Sequence, residues 1–252
     1  MQDHTRKFDG LADLYDASRP TYPPDVLTAV AQAVAAGDAP ARCLDVGAGT
    51  GISTRALIDA LPDWTVQAVE PNLDMAARAG AAGLEVIIAP AEALPIEPDS
   101  RGLVTVAQAF HWFDRPRFLR EARRVLSQHG VLAVINNNRR TEEFEALLAV
   151  EDFIEAENPD YSRHYRDLDI AAEIEASGSF GEIQRFGFPW ALPATSESLA
   201  RYFLSRSSST PIVARLGKAM VMRRIVAVID RHVATPTFDV PMMCDLVLAR
   251  CR

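Results

Sequence analysis

Apolar residues in this chain change their spacing at regular intervals. Arg42–Val46 is a compact apolar run of strand length. Gly51–Leu61 follows, with Ile52, Ala56, Leu57, Ala60 and Leu61 on one helical face. Pro62-Asp63 closes that helix. Thr65–Val69 reads as a second strand, Asn72–Gly80 as a helix and Leu84–Ala89 as a third strand. Leu103–Ala107 is a fourth. Asp114 is placed to cap the next helix, Pro116 is tolerated in its first turn, and Phe118, Leu119, Ala122, Val125 and Leu126 make its apolar side. The pattern predicts that this helix stops at Gly130, a position suited to a left-handed C-cap, and that Val131–Ile135 is a fifth strand.

The rest is less regular. Thr141 starts a predicted helix with Glu142 and Glu143 in its first turn, and polar, helix-leaning sequence continues to about Gly178. Gln184–Leu192 and Val240–Ala249 read as two further strands. Glu197–Leu204 and Ile212–Arg231 read as helices, the second with Leu216, Met220, Ile225, Val228 and Ile229 as apolar contacts. Alternating strands and helices imply parallel strands, right-handed crossovers and helices on both faces. The expected fold class is therefore α/β, a doubly wound sheet. Ligands of such sheets sit beyond the carboxyl ends of the strands, where strand order reverses.

Composition narrows the partners. The chain has 252 residues, long enough for one domain with a sizeable core. A net charge of -8 is poorly suited to holding a phosphate backbone, so nucleic acid is disfavoured. Met1–Asp9 is polar and carries both charge signs, unlike a signal peptide, and no apolar run approaches the roughly 18 residues of a membrane span. A soluble, cytoplasmic protein with a small-molecule partner and no membrane partner is expected. Cys43, Cys244 and Cys251 show no CxxC spacing, so neither a disulfide framework nor a metal site is expected. Cys43 reads as a small buried hydrophobe. Arg115, Arg117, Arg120, Arg123 and Arg124 fall mainly opposite the apolar side of their helix and read as a solvated face.

The chemistry concentrates in Leu44-Asp45-Val46-Gly47-Ala48-Gly49-Thr50-Gly51-Ile52, a strand running into a glycine turn and then a helix. Glycine permits positive φ and close approach of a ligand to the backbone. Glu70 ends the second strand, 19 positions after Gly51, where an acid can accept from both hydroxyls of a ribose. A dinucleotide site prefers G-x-G-x-x-G, with the pyrophosphate at the helix N-terminus. Here the spacing is G-x-G-x-G and residue 52 is Ile. Asp45 would repel a pyrophosphate but attract a cationic amino-acid group. S-adenosylmethionine (SAM), which carries an ammonium and a sulfonium and no phosphate, fits better.

Leu44–Gly51 resembles the first motif of class I SAM-dependent methyltransferases. Ala68-Val69-Glu70-Pro71-Asn72 resembles their second-strand acid, and Pro90–Pro95 their third motif, with Glu92 where Asp is usual. Tyr15–Pro23, Ala107–Asp114, Phe188-Pro189-Trp190, Tyr202–Ser209 and Phe238–Arg250 are similar to the trans-aconitate methyltransferase-like subgroup of the type 11 enzymes. The resemblance implies one methyltransferase domain over residues 1–252 on a mostly parallel, seven-stranded, Rossmann-like sheet. It implies a helical lid at 1–40, a SAM-binding core at 41–137 and helical cap elements at 138–182 and 194–238 that hold the substrate. Residues 183–193 and 239–252 become final antiparallel strands. The assembly is expected to be a monomer or homodimer.

The resemblance also assigns roles. Asp45, Gly47 and Gly49 line the methionine part of SAM, with Ala48 counted among the cofactor-binding residues. Glu70 binds the ribose, Pro71 packs near the adenine, Ala91 offers a backbone amide to the base and Glu92 accepts from the exocyclic amine. Gln108 faces the methionine moiety. Tyr15 or Arg19, from the lid, meets the SAM carboxylate, where a guanidinium fork suits it. His111 and Trp112 stand on the substrate side, His111 as the candidate base or hydrogen-bond donor. Arg201, Tyr202 and Arg206 form a polar substrate wall suited to an acid, which makes a carboxylate acceptor the expected one. The product of the cofactor is S-adenosylhomocysteine (SAH). Two alternatives stay open: a non-catalytic SAM-binding regulatory module, and an NAD-dependent oxidoreductase.

Overall fold

A computed structural model describes residues 10–35, 38–164 and 167–251. Residues 1–9 of the expected lid lie outside the described residues. Seven strands make one sheet: β1 (Arg42–Val46), β2 (Thr65–Val69), β3 (Val86–Ile87), β4 (Arg101–Ala107), β5 (Leu126–Arg139), β6 (Phe180–Ala194) and β7 (Phe238–Cys251). Their order is β3-β2-β1-β4-β5-β7-β6. The pairs from β3 to β5 are parallel, whereas β7 runs antiparallel to both β5 and β6. Strand order reverses between β1 and β4, which creates the crevice where such sheets bind ligands.

The helices are α1 (Ala12–Ser18), α2 (Pro24–Ala35), α3 (Ile52–Ala60), α4 (Leu73–Ala81), α5 (Arg115–Val125), α6 (Glu145–Glu157), α7 (Ile170–Ala176), α8 (Ser196–Leu204), α9 (Thr210–Leu216) and α10 (Lys218–Ile229). The sheet is covered on both faces. One cluster packs Leu44, Val104, Leu132 and Phe118 together, and another packs Cys43, Leu103, Ala133 and Val30. These two sets alternate along each strand, as the pleat requires. Complete burial of a side chain such as Phe118 contributes about 1.5–3 kcal/mol. A third cluster joins α6, α8, α9 and α10 with the ends of β6 and β7, through Leu147, Phe203, Ile225 and Met242.

Several sequence expectations shift. The helix capped by Asp114 ends at Val125, and Gly130 is a buried strand residue without positive φ. Leu126 already pairs with Arg101 of β4, so sheet pairing takes over five residues early. Gly130 is needed for space: a Cβ there would lie 2.8 Å from Leu126 Cδ2 and 3.0 Å from the Ser127 carbonyl. The third strand shrinks to Val86–Ile87 at the sheet edge, where only β2 supports it. Thr141 opens a 3-10 turn, and the helix proper begins at Glu145. The span Ile212–Arg231 is two helices, because Gly217 breaks it with φ +81°. Met220, expected among the apolar contacts of that span, is exposed. The arginines of α5 are only partly a solvated face. Arg124 donates to the carbonyls of Leu94 and Ile96, and Glu121 accepts from the Leu94 N–H, so this helix holds the loop after Pro90.

Candidate functional site

A cavity of about 500 Å³ opens at the carboxyl ends of β1 and β4, within the range of small-ligand sites. Its floor is Gly47–Thr50 and Gln108–Ala109. One wall is Glu70-Pro71 with Pro90–Glu92, and Trp112–Asp114 flank them. Tyr15, Arg19, Pro20 and Tyr22 close it from the N-terminal segment, and Tyr202 closes it from α8.

The glycine turn is fixed by its own backbone. The N–H groups of Gly47 and Ala48 both donate to the Val69 carbonyl, at 2.8 and 3.0 Å, which ties the loop to the end of β2. Gly47 has φ +73°, and a Cβ there would lie 2.6 Å from Ala109 Cβ and 3.1 Å from Phe113 Cζ. Only glycine fits that conformation and that space. Glu70 then reaches across the turn. Its Oε2 accepts from the Gly49 N–H and its Oε1 from the Asn72 N–H, both at 2.8 Å. Burial raises the Glu70 carboxyl above its usual range, against the pull of these two backbone donors. Each oxygen retains a lone pair, so the carboxylate can accept further hydrogen bonds from a diol.

Asp45 stands elsewhere than expected. It is fully buried and absent from the cavity wall. Oδ2 accepts from Ser53 and Thr54, each at 2.7 Å, and Oδ1 from Thr105 at 2.8 Å. Burial raises its carboxyl above the usual range, opposed by the three hydroxyls. The group joins β1, the first turn of α3 and β4 from behind the loop. The carboxylate has no exposed surface on the cavity wall and braces the loop from behind.

At the end of β4, Gln108 adopts a left-handed backbone with φ +60°, uncommon for a side chain of this size, and lines the cavity. Its Nε2 donates to the Asn137 carbonyl at 2.7 Å. Glu92 lines the wall, but its Oε1 accepts from the N–H of Asp114 at 2.7 Å, which spends part of the capacity expected for an adenine amine. Pro71, Ala48 and the buried Ala91 are also on the wall.

The residues expected on the substrate side divide. Trp112 lines the cavity, whereas His111, in the same 3-10 turn, packs against the Trp112 ring at a centroid distance of 4.6 Å and is not on the wall. Tyr202 is on the wall, buried, and its hydroxyl accepts from Arg139 at 2.8 Å. Arg19 lies over the Tyr15 ring at 4.6 Å and over the Tyr202 ring at 4.8 Å, and its Nε donates to Ser205 at 3.0 Å. Arg201 and Arg206 do not form the wall. Arg201 is exposed, and Arg206 is buried against Glu151 at 2.7 Å, with Tyr161 beside it. Arg139 shares that same Glu151 at 2.9 Å. Two guanidiniums therefore surround one buried carboxylate behind Tyr202. Burial pushes Glu151 up, but Arg206 and Arg139 outweigh it and hold the carboxyl below its usual range.

Other residues at or beside the cavity carry no signal in the sequence. Tyr22, on the wall, is a phenol that burial pushes well above its ordinary range. Asn137 lines the cavity from β5. Asp16 of α1 bridges Arg55 and Arg78, each at 2.9 Å, and Arg55 donates onward to the Thr50 carbonyl at 3.0 Å. The N-terminal segment is thus tied to the glycine turn. Ser53-Thr54, eight and nine positions after Asp45, was the one local signal of a buried partner set. Among the described residues no group of three His, Cys, Asp or Glu side chains could hold a metal, and no helix is long and apolar enough to cross a membrane.

Residues 44–134 match the protein-family model described as methyltransferase domain. An uncharacterised methyltransferase of Mycobacterium tuberculosis is 35% identical over 140 residues, 55% of this chain and 55% of the relative. A malonyl-[acyl-carrier protein] O-methyltransferase of Methylococcus capsulatus is 38% identical over 103 residues, 38% of each chain. The chain thus spans about half the length, or less, of these curated relatives. Among solved structures, a protein from Anaeromyxobacter dehalogenans provisionally named a type II methyltransferase superposes with a TM-score of 0.66 at 22% identity, covering 93% of this chain and 97% of that one. Phosphoethanolamine N-methyltransferase 2 of Haemonchus contortus, in complex with SAM, superposes with a TM-score of 0.55 at 14% identity, covering 99% and 58%. At these identities the structures speak for the fold, which is the Rossmann-like methyltransferase fold. Residues 44–134 thus match a methyltransferase domain, and the chain takes the fold that solved methyltransferases share.

Proposed function

We propose that the cavity binds SAM and that the protein transfers its methyl group to a small carboxylic acid, as in the trans-aconitate methyltransferase-like subgroup. The observation that carries the cofactor reading is Glu70. A buried carboxylate on the wall, held by the Gly49 and Asn72 N–H groups with lone pairs left over, suits a ribose diol beside a glycine turn. When bound, SAM supplies an already activated methyl electrophile. The protein's work is then to align, to exclude water and to neutralise charge. Alignment of reactants lowers barriers of this kind by about 7–11 kcal/mol. Pro71 and Ala91 would flank the base, Glu92 its amine edge, and Gly47–Gly49 with Gln108 the amino-acid end.

The acceptor reading rests on Arg19 and Tyr202. Arg19 is the guanidinium on the wall, and Arg139 stands on Tyr202 from behind. This positive corner suits a carboxylate of the acceptor or of the cofactor. A carboxylate is ionised at neutral pH and needs no general base, so His111 would serve only by bracing Trp112. A non-catalytic SAM-binding module has the same cofactor requirements, and differs only in turnover. An NAD-dependent oxidoreductase is disfavoured by Ile52 in place of the third glycine. Titration calorimetry with SAH tests the cofactor reading. The expected result is micromolar binding that Glu70→Ala weakens by at least tenfold, with NADH inert; undiminished SAH binding by Glu70→Ala would remove this site.

A further inference from the structure

Asn137 joins three elements at the cavity wall. In a parallel ladder the rungs fall on alternate residues. The Gln108 N–H donates to the Ile135 carbonyl at 2.9 Å, so the next rung would come from residue 110 to the Asn137 carbonyl. At Gln108 the backbone turns away with φ +60°, and its own side-chain Nε2 occupies that rung at 2.7 Å. The Asn137 main chain thereby fixes the Gln108 amide.

The Asn137 side chain faces the other way and has one satisfying orientation. The Trp190 indole N–H can only donate, so Oδ1 must face it, at 2.9 Å. The Thr21 carbonyl can only accept, so Nδ2 must face it, at 3.2 Å. Asn137 is buried, with 6% exposure, so water competes poorly for these bonds. Thr21 lies between Pro20 and Tyr22, which both line the cavity. Trp190, on β6 at the far edge of the sheet, thus orients an amide that holds the N-terminal wall.

We propose that Asn137 is a positioning residue, oriented by Trp190, that ties residues 19–22 to the end of β5 and so governs how slowly the cavity releases its ligand. The ligand named below rests on the SAM reading; the tie itself does not. Asn137→Asp keeps the size and the acceptor facing Trp190 but replaces the donor to Thr21 with an oxygen. Trp190→Phe keeps the Asn137 side chain and removes the donor that orients it.

The test combines three readouts on the full chain: SAH dissociation by stopped flow, thermal midpoint, and hydrogen exchange at residues 21–27 in the free protein. Asn137→Asp is expected to raise the SAH Kd about tenfold, the scale of one hydrogen bond in a dry site. The change should come from faster dissociation, with faster exchange at residues 21–27. Trp190→Phe should shift both in the same direction by about threefold, and should add nothing further when combined with Asn137→Ala. Dissociation and exchange unchanged in folded Trp190→Phe would overturn the proposal, as would multiplicative effects of the two sites. Should Asn137 variants fail to fold, Trp190→Phe decides alone. Should the wild-type chain fail to bind SAH, the cofactor reading falls, while the exchange comparison still judges the tie.

Discussion

Replacement of Asp45 separates two accounts of the glycine-loop acid. Its carboxylate accepts from Ser53, Thr54 and Thr105 in a fully buried pocket, at 2.7, 2.7 and 2.8 Å. Asp45→Ala leaves three hydroxyls without that acceptor. Each would cost about 1–3 kcal/mol if orphaned. Ser53 and Thr54 lie in the first turn of α3, where their hydroxyls can rotate toward other acceptors, which recovers part. Removing a carboxylate that burial already disfavours recovers more. The net loss expected is about 3 kcal/mol, or about 6–12 °C in thermal midpoint for a chain of this length. Asp45→Asn keeps the shape and one acceptor oxygen and should cost about 1 kcal/mol. Because its folded carboxyl titrates above the ordinary value near 3.8, Asp45 adds stability below that value and loses it as pH rises through the folded value. Asp45→Asn should flatten that decline. Thermal melts across pH and SAH calorimetry on both variants provide the check. If Asp45 acts only from behind the loop, folded Asp45→Asn binds SAH within about threefold of wild type. A well-folded Asp45→Asn with affinity down by more than about tenfold would instead mean that Asp45 contacts the ligand directly, since that is the loss of a charge contact.

Other substitutions probe separate parts of the site. Gly47→Ala must hold φ +73° with its Cβ 2.6 Å from Ala109, so it should distort the loop and abolish SAH binding in calorimetry. Gly49→Ala shares the positive φ but meets nothing within 4 Å, so its stability in thermal melts should fall by only the backbone cost of about 1–2 kcal/mol. Glu151 titrates below its ordinary value near 4.5, so its pairing with Arg206 and Arg139 is complete above that pH and is lost as pH falls through the folded value. Glu151→Gln should cost about 3 kcal/mol near neutrality, by removing the buried carboxylate that Arg206 and the partly buried Arg139 share, and weaken the acid dependence of the melt. His111→Ala should leave SAH affinity within about threefold of wild type, because the ring lies off the cavity wall.

The strand–turn–helix at residues 42–60 was legible because period, glycine spacing and chain direction agree locally. The same holds for β2 with Glu70 at its end. What escaped depends on contacts distant in sequence. The early end of α5 is set by pairing of Leu126 with Arg101, and the break at Gly217 by one glycine inside an otherwise helical pattern. Arg206 read as part of a substrate wall because its partners, Glu151 of α6 and Tyr161 of the loop after it, lie about 50 positions away in the sequence. Asn137 and Trp190 lie 53 positions apart, and no periodicity announces that their polar atoms meet. Asp45 was recognised as special, yet its direction was not readable: strand alternation says which face a residue takes, not whether hydroxyls wait there.

Transfer of a labelled methyl group from SAM, assayed across small carboxylic acids, phenols and amines, separates a carboxylate methyltransferase from the other readings of this cavity. Label is expected in a carboxylate, recovered as methanol on alkaline hydrolysis, with loss of incorporation in Glu70→Ala. SAH binding without incorporation into any class would contradict it and leave a SAM-binding module without turnover.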